Sequence, residues 1–187
     1  MNDVVQAIEQ SFRDLLCDKR YRSVTVKDIC ERAHVSRKTF YANFHGKEDI
    51  IAYIFKRDVI EPLSLINAVF TNDEARDLTP MIQRKIYQTI RDDGVYYRNL
   101  VVSMKGHDDT FVRVVTNAIY EFDREVLRAI GFKGDDEHAD YISYFYSSSQ
   151  AMFMQKWICD DFSLTVDELS RLYSSMTLEF WKTVSSY

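Results

Sequence analysis

A chain of 187 residues that is 46% hydrophobic and 14% aromatic, with only five Gly and two Pro, can bury a sizeable core and has few helix breakers. It has no long uncharged apolar run, and its start, MNDVVQAIEQSF, carries acids where a secretory leader carries bases; a cytoplasmic protein without a membrane partner is expected. The net charge of −5 is unevenly held: residues 1–57 contain 11 Lys+Arg against 8 Asp+Glu, a head of +3, and the remainder 13 against 21, a body of −8.

A basic head on an acidic body points to a polyanion partner for the head alone. Cys17, Cys30 and Cys159 are odd in number and widely spaced, and are expected as small buried hydrophobes rather than disulfide partners. His34, His45, His107 and His138 form no close ligand pair with any of them, so no structural zinc and no cofactor is expected.

In chain order, Val5, Ile8, Phe12, Leu15 and Leu16 recur at spacings of three and four, which predicts a supporting helix over 2–19. Thr25 is an N-cap candidate with Asp28 three residues on, a variant of the capping box, and a short helix follows over 26–33. His34, Val35 and Ser36 form a tight turn, and Ser36 caps the next helix. Phe40 and Phe44 face the core there, leaving Arg37, Lys38, Tyr41 and Asn43 outward, and Gly46 is expected to close it. A fourth helix runs from Lys47 to about Glu61, where Pro62 either kinks the connection or starts a new helix. Further helices are predicted near 63–71, 78–92, 95–104, 108–130, 136–159 and 165–184. Turns are expected at 72–77, Asp93-Gly94, 105–107, 131–135 and 160–163. The reading is all-α, with about nine helices.

Between Arg32 and Lys47 there is no Asp or Glu. Two short helices across a three-residue turn, the second with outward basic and polar side chains, describe a helix-turn-helix whose second helix enters the major groove. Arg37 and Lys38 can donate to guanine O6 and N7, and Thr39 can meet a thymine methyl or a phosphate. Thr25, Tyr41, Asn43 and Lys47 suit phosphates. A solvated basic face on an ordinary helical hairpin is the bland alternative.

The segment VTVKDICERAHVSRKTFYANFHGKEDIIAYIF resembles the DNA-binding domain of the tetracycline-repressor (TetR/AcrR) family. The matching positions are Thr25, Ile29, Ala33, Val35, Ser36, Thr39, Phe40, Tyr41, Phe44, Lys47 and Glu48, with Ile50 in place of the usual Leu. Ala42 and Asn43 depart from the commonest pattern. The resemblance covers roughly the first 55 residues and implies DNA contact by Thr25, Ser36, Arg37, Lys38, Thr39, Tyr41 and Lys47.

It also implies a helix-turn-helix domain over 1–55, a helical ligand-binding and dimerisation domain over 56–187, and a homodimer on a double-stranded operator. The last two long helices would then build the dimer interface, with Phe145, Phe153, Trp157, Leu172, Met176 and Phe180 as candidates; simple core packing is the alternative for each. Tyr87, Tyr96, Tyr97, Phe111, Tyr120, Tyr141, Tyr144 and Met152 are candidate lining for an effector pocket, although aromatics at helical spacing also describe a packed core. The body's excess acid favours a cationic or neutral small-molecule effector over an anionic one. No glycine-rich phosphate loop, G-x-S-x-G or H-E-x-x-H motif is present, so no enzyme is expected. The expected function is a DNA-binding transcriptional regulator, a ligand-responsive repressor; the runner-up is a helical adaptor or co-regulator answering to a partner protein.

Overall fold

The computed structural model describes residues 3–69, 72–129 and 132–184, and their side chains outside 66–79 and 178–184. Among these residues every regular element is helical. The stripe of α1 (Asp3–Asp18) buries Ile8, Phe12, Leu15 and Leu16 as its spacing requires. A 3-10 turn (Tyr21–Ser23) leads to α2 (Val26–Arg32), which opens on a complete capping box. Asp28 N–H donates to Thr25 Oγ1 at 3.1 Å, and Thr25 N–H donates to Asp28 Oδ2 at 2.9 Å. Those bonds from Thr25 hold the Asp28 carboxyl down at about 2.

The end of α2 is a Schellman turn, with Val35 N–H reaching Cys30 O at 3.0 Å and His34 in the left-handed region at φ 54°. A Cβ is disfavoured there, so His34→Gly should raise stability to urea by about 1 kcal/mol, and His34→Val should lower it. The next helix, α3 (Arg37–Tyr41), is shorter than expected. Gly46 does not close it; it is the extended residue before α4 (Lys47–Phe55). The intervening turn drops Phe44 into the core, its ring 6.0 Å from Phe40 and 5.8 Å from Tyr53.

Beyond α4 the helix does not break at Pro62. A π-helical turn (Lys56–Ile60) joins α4 to α5 (Glu61–Val69), making one rod over 47–69. Proline lacks an N–H, and the wider turn just before it, closed by Glu61 N–H to Lys56 O, carries the chain past that missing donor. Next come α6 (Asn72–Asp92), α7 (Gly94–Val102), α8 (Thr110–Ala129), α9 (Asp136–Cys159) and α10 (Val166–Val184). Counting the rod once gives nine helices among the described residues. The turn expected over 72–77 is helix instead, with Pro80 inside α6. Its polar sequence, NDEARD, reads as a loop but equally supplies an N-terminal Asn and acids that favour a helix start.

Helices α8 and α9 pack along each other, α6 packs on α10, and α7 lies on α9. The head is set on this body through α1 against α7 and α4 against α8. One buried cluster runs without interruption from Ile8 and Phe12 through Ile50 and Ile54 to Trp157, Leu169 and Tyr173, so head and body share a core. A smaller cluster, Leu127 and Ala139 with Phe132 and Ile142, stands apart at the far end of the α8–α9 pair. Cys30 is buried and Cys159 half-buried, but Cys17 is exposed, contrary to expectation.

The seam between head and body holds an ionic network that sequence reading did not find. Glu9, buried on α1, accepts from both Arg57 of the π turn and Arg13. Arg57 Nε also reaches Asp58 at 2.6 Å, and Arg13 pairs with Asp93 at the α6–α7 turn. Burial alone would raise the Glu9 carboxyl, but the two guanidiniums outweigh it and hold the group below its usual value.

Candidate nucleic-acid interface

The helix-turn-helix is built by caps and two rings. Thr39 N–H donates to Ser36 Oγ at 3.0 Å, which fixes where α3 starts. Phe40 is fully buried and Phe44 nearly so, which orients α3 and leaves its first turn outward. Arg37 and Lys38 stand exposed there, and among the described residues neither forms a hydrogen bond or ion pair. Two cations at the positive end of a helix dipole oppose it, and an external anion relieves both. Tyr41 is 54% exposed, its ring edge-on to Phe40 at 5.4 Å, so its hydroxyl is presented from a rigid base. Thr25 and Ser36 are exposed and Thr39 half-buried, with Ser36 Oγ and Thr39 Oγ1 2.8 Å apart.

Two expected phosphate ligands are engaged elsewhere. Lys47 is folded inward: its Nζ donates to Tyr21 O at 2.7 Å and Val24 O at 3.0 Å, and sits 3.9 Å from the centre of the Tyr21 ring. Burial draws its ammonium below the usual lysine value, offset in part by Asp108 and Glu48. In this structure Lys47 therefore ties the 3-10 turn to the start of α4. Asn43 Nδ2 donates to Thr39 O at 2.8 Å and closes the end of α3, which leaves its carbonyl and one amide hydrogen outward.

The eight candidate pocket residues do not gather round one space. Tyr87, Tyr96, Tyr97 and Phe111 are packed into the core, with Tyr96 and Tyr97 rings 5.0 Å apart and Tyr97 6.4 Å from Phe111. Tyr120 is half-buried and its hydroxyl donates to Asp140. Tyr141, Tyr144 and Met152 are exposed, on the same outer stripe of α9 as Phe145, because residues three, four, seven and eight apart share a helix face. Met152 also borders an open cleft of about 640 Å³ with Arg22, His107, Asp108 and Gln155.

The interface candidates divide in the same way. Phe145, Leu172 and Met176 are exposed. Phe153 is half-buried against Tyr173, ring centres 5.9 Å apart. Trp157 belongs to the core, 3% exposed, stacked edge-on to Phe162 at 4.8 Å, with its indole N–H donating to Leu164 O at 2.8 Å. Phe180 lies outside the residues whose side chains are described. Among the described residues no group of three or more His, Cys, Asp or Glu is placed to hold a metal ion, and no helix is long and apolar enough to cross a membrane.

A capped helix-turn-helix with a bare basic first turn on its second helix, set on a helical body, defines a DNA-binding transcription regulator. Residues 13–54 match the model of bacterial regulatory proteins of the tetR family, and residues 78–179 match that of a transcriptional regulator C-terminal region. Over 54 residues the chain is 35% identical to the HTH-type dhaKLM operon transcriptional activator DhaS of Lactococcus lactis subsp. lactis (strain IL1403), covering 29% of each chain. Over 57 residues it is 30% identical to the uncharacterized HTH-type transcriptional regulator YxbF of Bacillus subtilis (strain 168), covering 30% of this chain and 15% of that one. The chain thus matches less than a third of the length of either curated relative.

Two solved structures share the fold along nearly the whole length. The dihydroxyacetone kinase operon activator DhaS superposes with a TM-score of 0.52 at 18% identity, covering 98% of this chain and 97% of that one. A protein from Syntrophomonas wolfei str. Goettingen, described as a TetR-family transcriptional regulator, gives 0.65 at 19% identity, covering 98% and 95%. The chain belongs to the tetR family of bacterial regulatory proteins, a family of DNA-binding transcription regulators and not of enzymes.

Proposed function

We propose that the chain is a cytoplasmic, homodimeric, ligand-responsive repressor, with a DNA-binding domain over 1–55 and an effector-binding and dimerisation domain over 56–187. The observation that carries the DNA face is the pair of exposed cations Arg37 and Lys38 in the first turn of α3, neither of them in an ion pair among the described residues. In this reading Arg37, Lys38 and Thr39 read base edges, while Thr25, Ser36, Tyr41 and the outward part of Asn43 grip phosphates. Lys47 braces the head from inside. The exposed apolar positions Tyr141, Tyr144, Phe145, Leu172 and Met176 supply the surface for a second copy.

A two-fold dimer would present its two α3 helices to half-sites of a near-palindromic operator, roughly 34–36 Å apart or a multiple of that. Selection of bound duplexes from a random pool tests DNA binding, symmetry and spacing together. A palindrome is expected; sequence-independent recovery would refute the reading. Arg37→Ala should relax base preference at one position per half-site, at a cost of about 1–3 kcal/mol in operator affinity, and unchanged preference would remove Arg37 from base reading. The name of the DhaS relative favours a second reading, activation, and a promoter-reporter strain with and without the gene separates the two.

A further inference from the structure

The two apolar clusters of the body do not meet along α8 and α9. The large one ends on α8 at Val115, Ala118 and Ile119 with Phe122 against it, and the small one begins at Leu127 and Ala139. Between them α8 carries Asp123, and α9 turns in Ser143, Tyr146 and Ser147. Asp123 Oδ2 is sealed from solvent with no hydrogen-bond partner among the described residues, although the residue as a whole keeps part of its surface accessible. Ser143 Oγ on α9 and the Tyr87 hydroxyl on α6 are likewise buried without a partner.

Asp123 is linked to three tyrosines, to Tyr146 and Tyr173 directly and to Tyr87 through Tyr173. The Asp123 charge acts on the hydroxyls of Tyr146 and Tyr173, and Tyr173 is also coupled to Tyr87. The Tyr87 and Tyr173 rings are 6.3 Å apart and steeply inclined, at 75°. The nearest basic side chain on α8, Arg124, is turned away to Asp136, with Nη1 donating to its backbone carbonyl at 3.1 Å. Among the described residues no ion pair reaches Asp123, and burial alone moves its carboxyl.

We propose that this polar stretch between the two clusters is the effector site and that its ligand is a small organic monocation, an ammonium donating to the Asp123 carboxylate with its apolar part against Tyr146 and Tyr173. A carboxyl without donors is relieved by a ligand that brings both donors and positive charge. Tyrosine faces attract the same charge, and their edges pack its apolar part. A carboxylate ligand would meet Asp123 as a like charge. A neutral one would leave Asp123 protonated and bring hydrogen bonds without positive charge. Burial raises the empty Asp123 carboxyl to about 8, so near pH 7 the cation displaces a proton: the carboxyl releases it to solvent as the ammonium enters. The proposal rests on the ligand-responsive reading above.

The test uses the full chain and three primary amines on one frame, benzylamine, 2-phenylethylamine and 4-phenylbutylamine, with 2-phenylethanol and phenylacetate as neutral and anionic counterparts. Calorimetry in buffers of different ionisation enthalpy counts protons on the unaltered protein. At least one amine is expected to bind saturably, tenfold or more tighter than the alcohol, with close to one proton released at pH 7. Its affinity should rise by up to tenfold per pH unit between pH 6 and 8. Asp123→Asn should abolish the proton release and lower amine affinity at least tenfold.

Failure of every amine to bind, tighter binding of the alcohol or phenylacetate, or amine binding unchanged by Asp123→Asn and without proton release each overturns the proposal. A parallel operator-binding assay separates it from the reading it rests on. If the alcohol or phenylacetate binds and releases DNA, ligand response stands and the cation falls. An amine that binds at Asp123 yet leaves operator affinity unchanged keeps the site and refutes ligand response through it.

Discussion

Asp123→Asn should make the unliganded protein more stable at pH 8, by on the order of 3–5 kcal/mol, and almost no more stable at pH 4. The reason is the site's own cost. Burial raises the carboxyl from the usual 3.8 to about 8. Well below pH 3.8 the group is protonated in folded and unfolded chains alike and contributes no difference, and at pH 4 the difference is still small. As pH rises from 4 to 8 the unfolded chain loses this proton and the folded chain keeps it, which favours unfolding by about 1.36 kcal/mol per pH unit. Above pH 8 both forms are ionised and the penalty is constant.

The full interval would give somewhat more than 5 kcal/mol, but the residue's remaining accessibility to water screens part of it. Urea denaturation of the two proteins at pH 4, 6 and 8 reads the effect. Parallel stability curves across that range would place Asp123 in a solvated environment and remove the penalty. Because a penalty of this kind is relieved by whatever pairs with the carboxylate, the same residue that weakens the empty body is the one that can couple ligand binding to its stability.

What the sequence made legible was local. The Thr25–Asp28 box, the Ser36 cap and the inward Phe40 and Phe44 all follow from residue type at fixed short spacing. Misreadings arose where a side chain's fate depends on a distant partner. Lys47 has the chemistry of a phosphate ligand, but the carbonyls of Tyr21 and Val24 face it across the head and capture it.

Helix α9 is apolar on more than one side, so periodicity could not separate Trp157, which faces the core, from Phe145, Tyr141 and Tyr144, which face out. Asp123 did leave a trace in the sequence. It lies four residues from both Ile119 and Leu127, a lone acid on an apolar stripe, and such a residue is either a defect or a site.

Arg57→Met should lower stability by about 2–3 kcal/mol, and adding Glu9→Leu should recover most of that loss. Arg57 stands at the π turn, where the rod from the DNA-binding head passes into the body. It holds Glu9 of α1 with two guanidinium nitrogens, Nη2 at 3.0 Å, and Asp58 through Nε at 2.6 Å. Removing it leaves the buried Glu9 with Arg13 alone, at 2.9 Å, and Asp58 with Arg13 at 3.7 Å, so one arginine must then satisfy three carboxylates including Asp93. The cost arises from the uncompensated acid more than from the lost contact. The double variant removes that acid and puts Leu and Met against the Phe12 core.

Acid sensitivity should change in step. Glu9 is held below its usual 4.5, so its contribution is present above that value and is lost as pH falls through its folded value. In Arg57→Met that acid-side loss shrinks, because less of the depression remains. A double variant no more stable than Arg57→Met alone would show that the network's worth lies in geometry rather than charge pairing. The network joins α1, the π turn and the α6–α7 turn, and so it links the elements that carry the recognition helix to the body. If the double variant refolds fully but binds operator with its two heads misplaced, affinity for the selected palindrome falls while affinity for a single half-site is kept. Equal losses on both duplexes would instead locate the damage in the head itself.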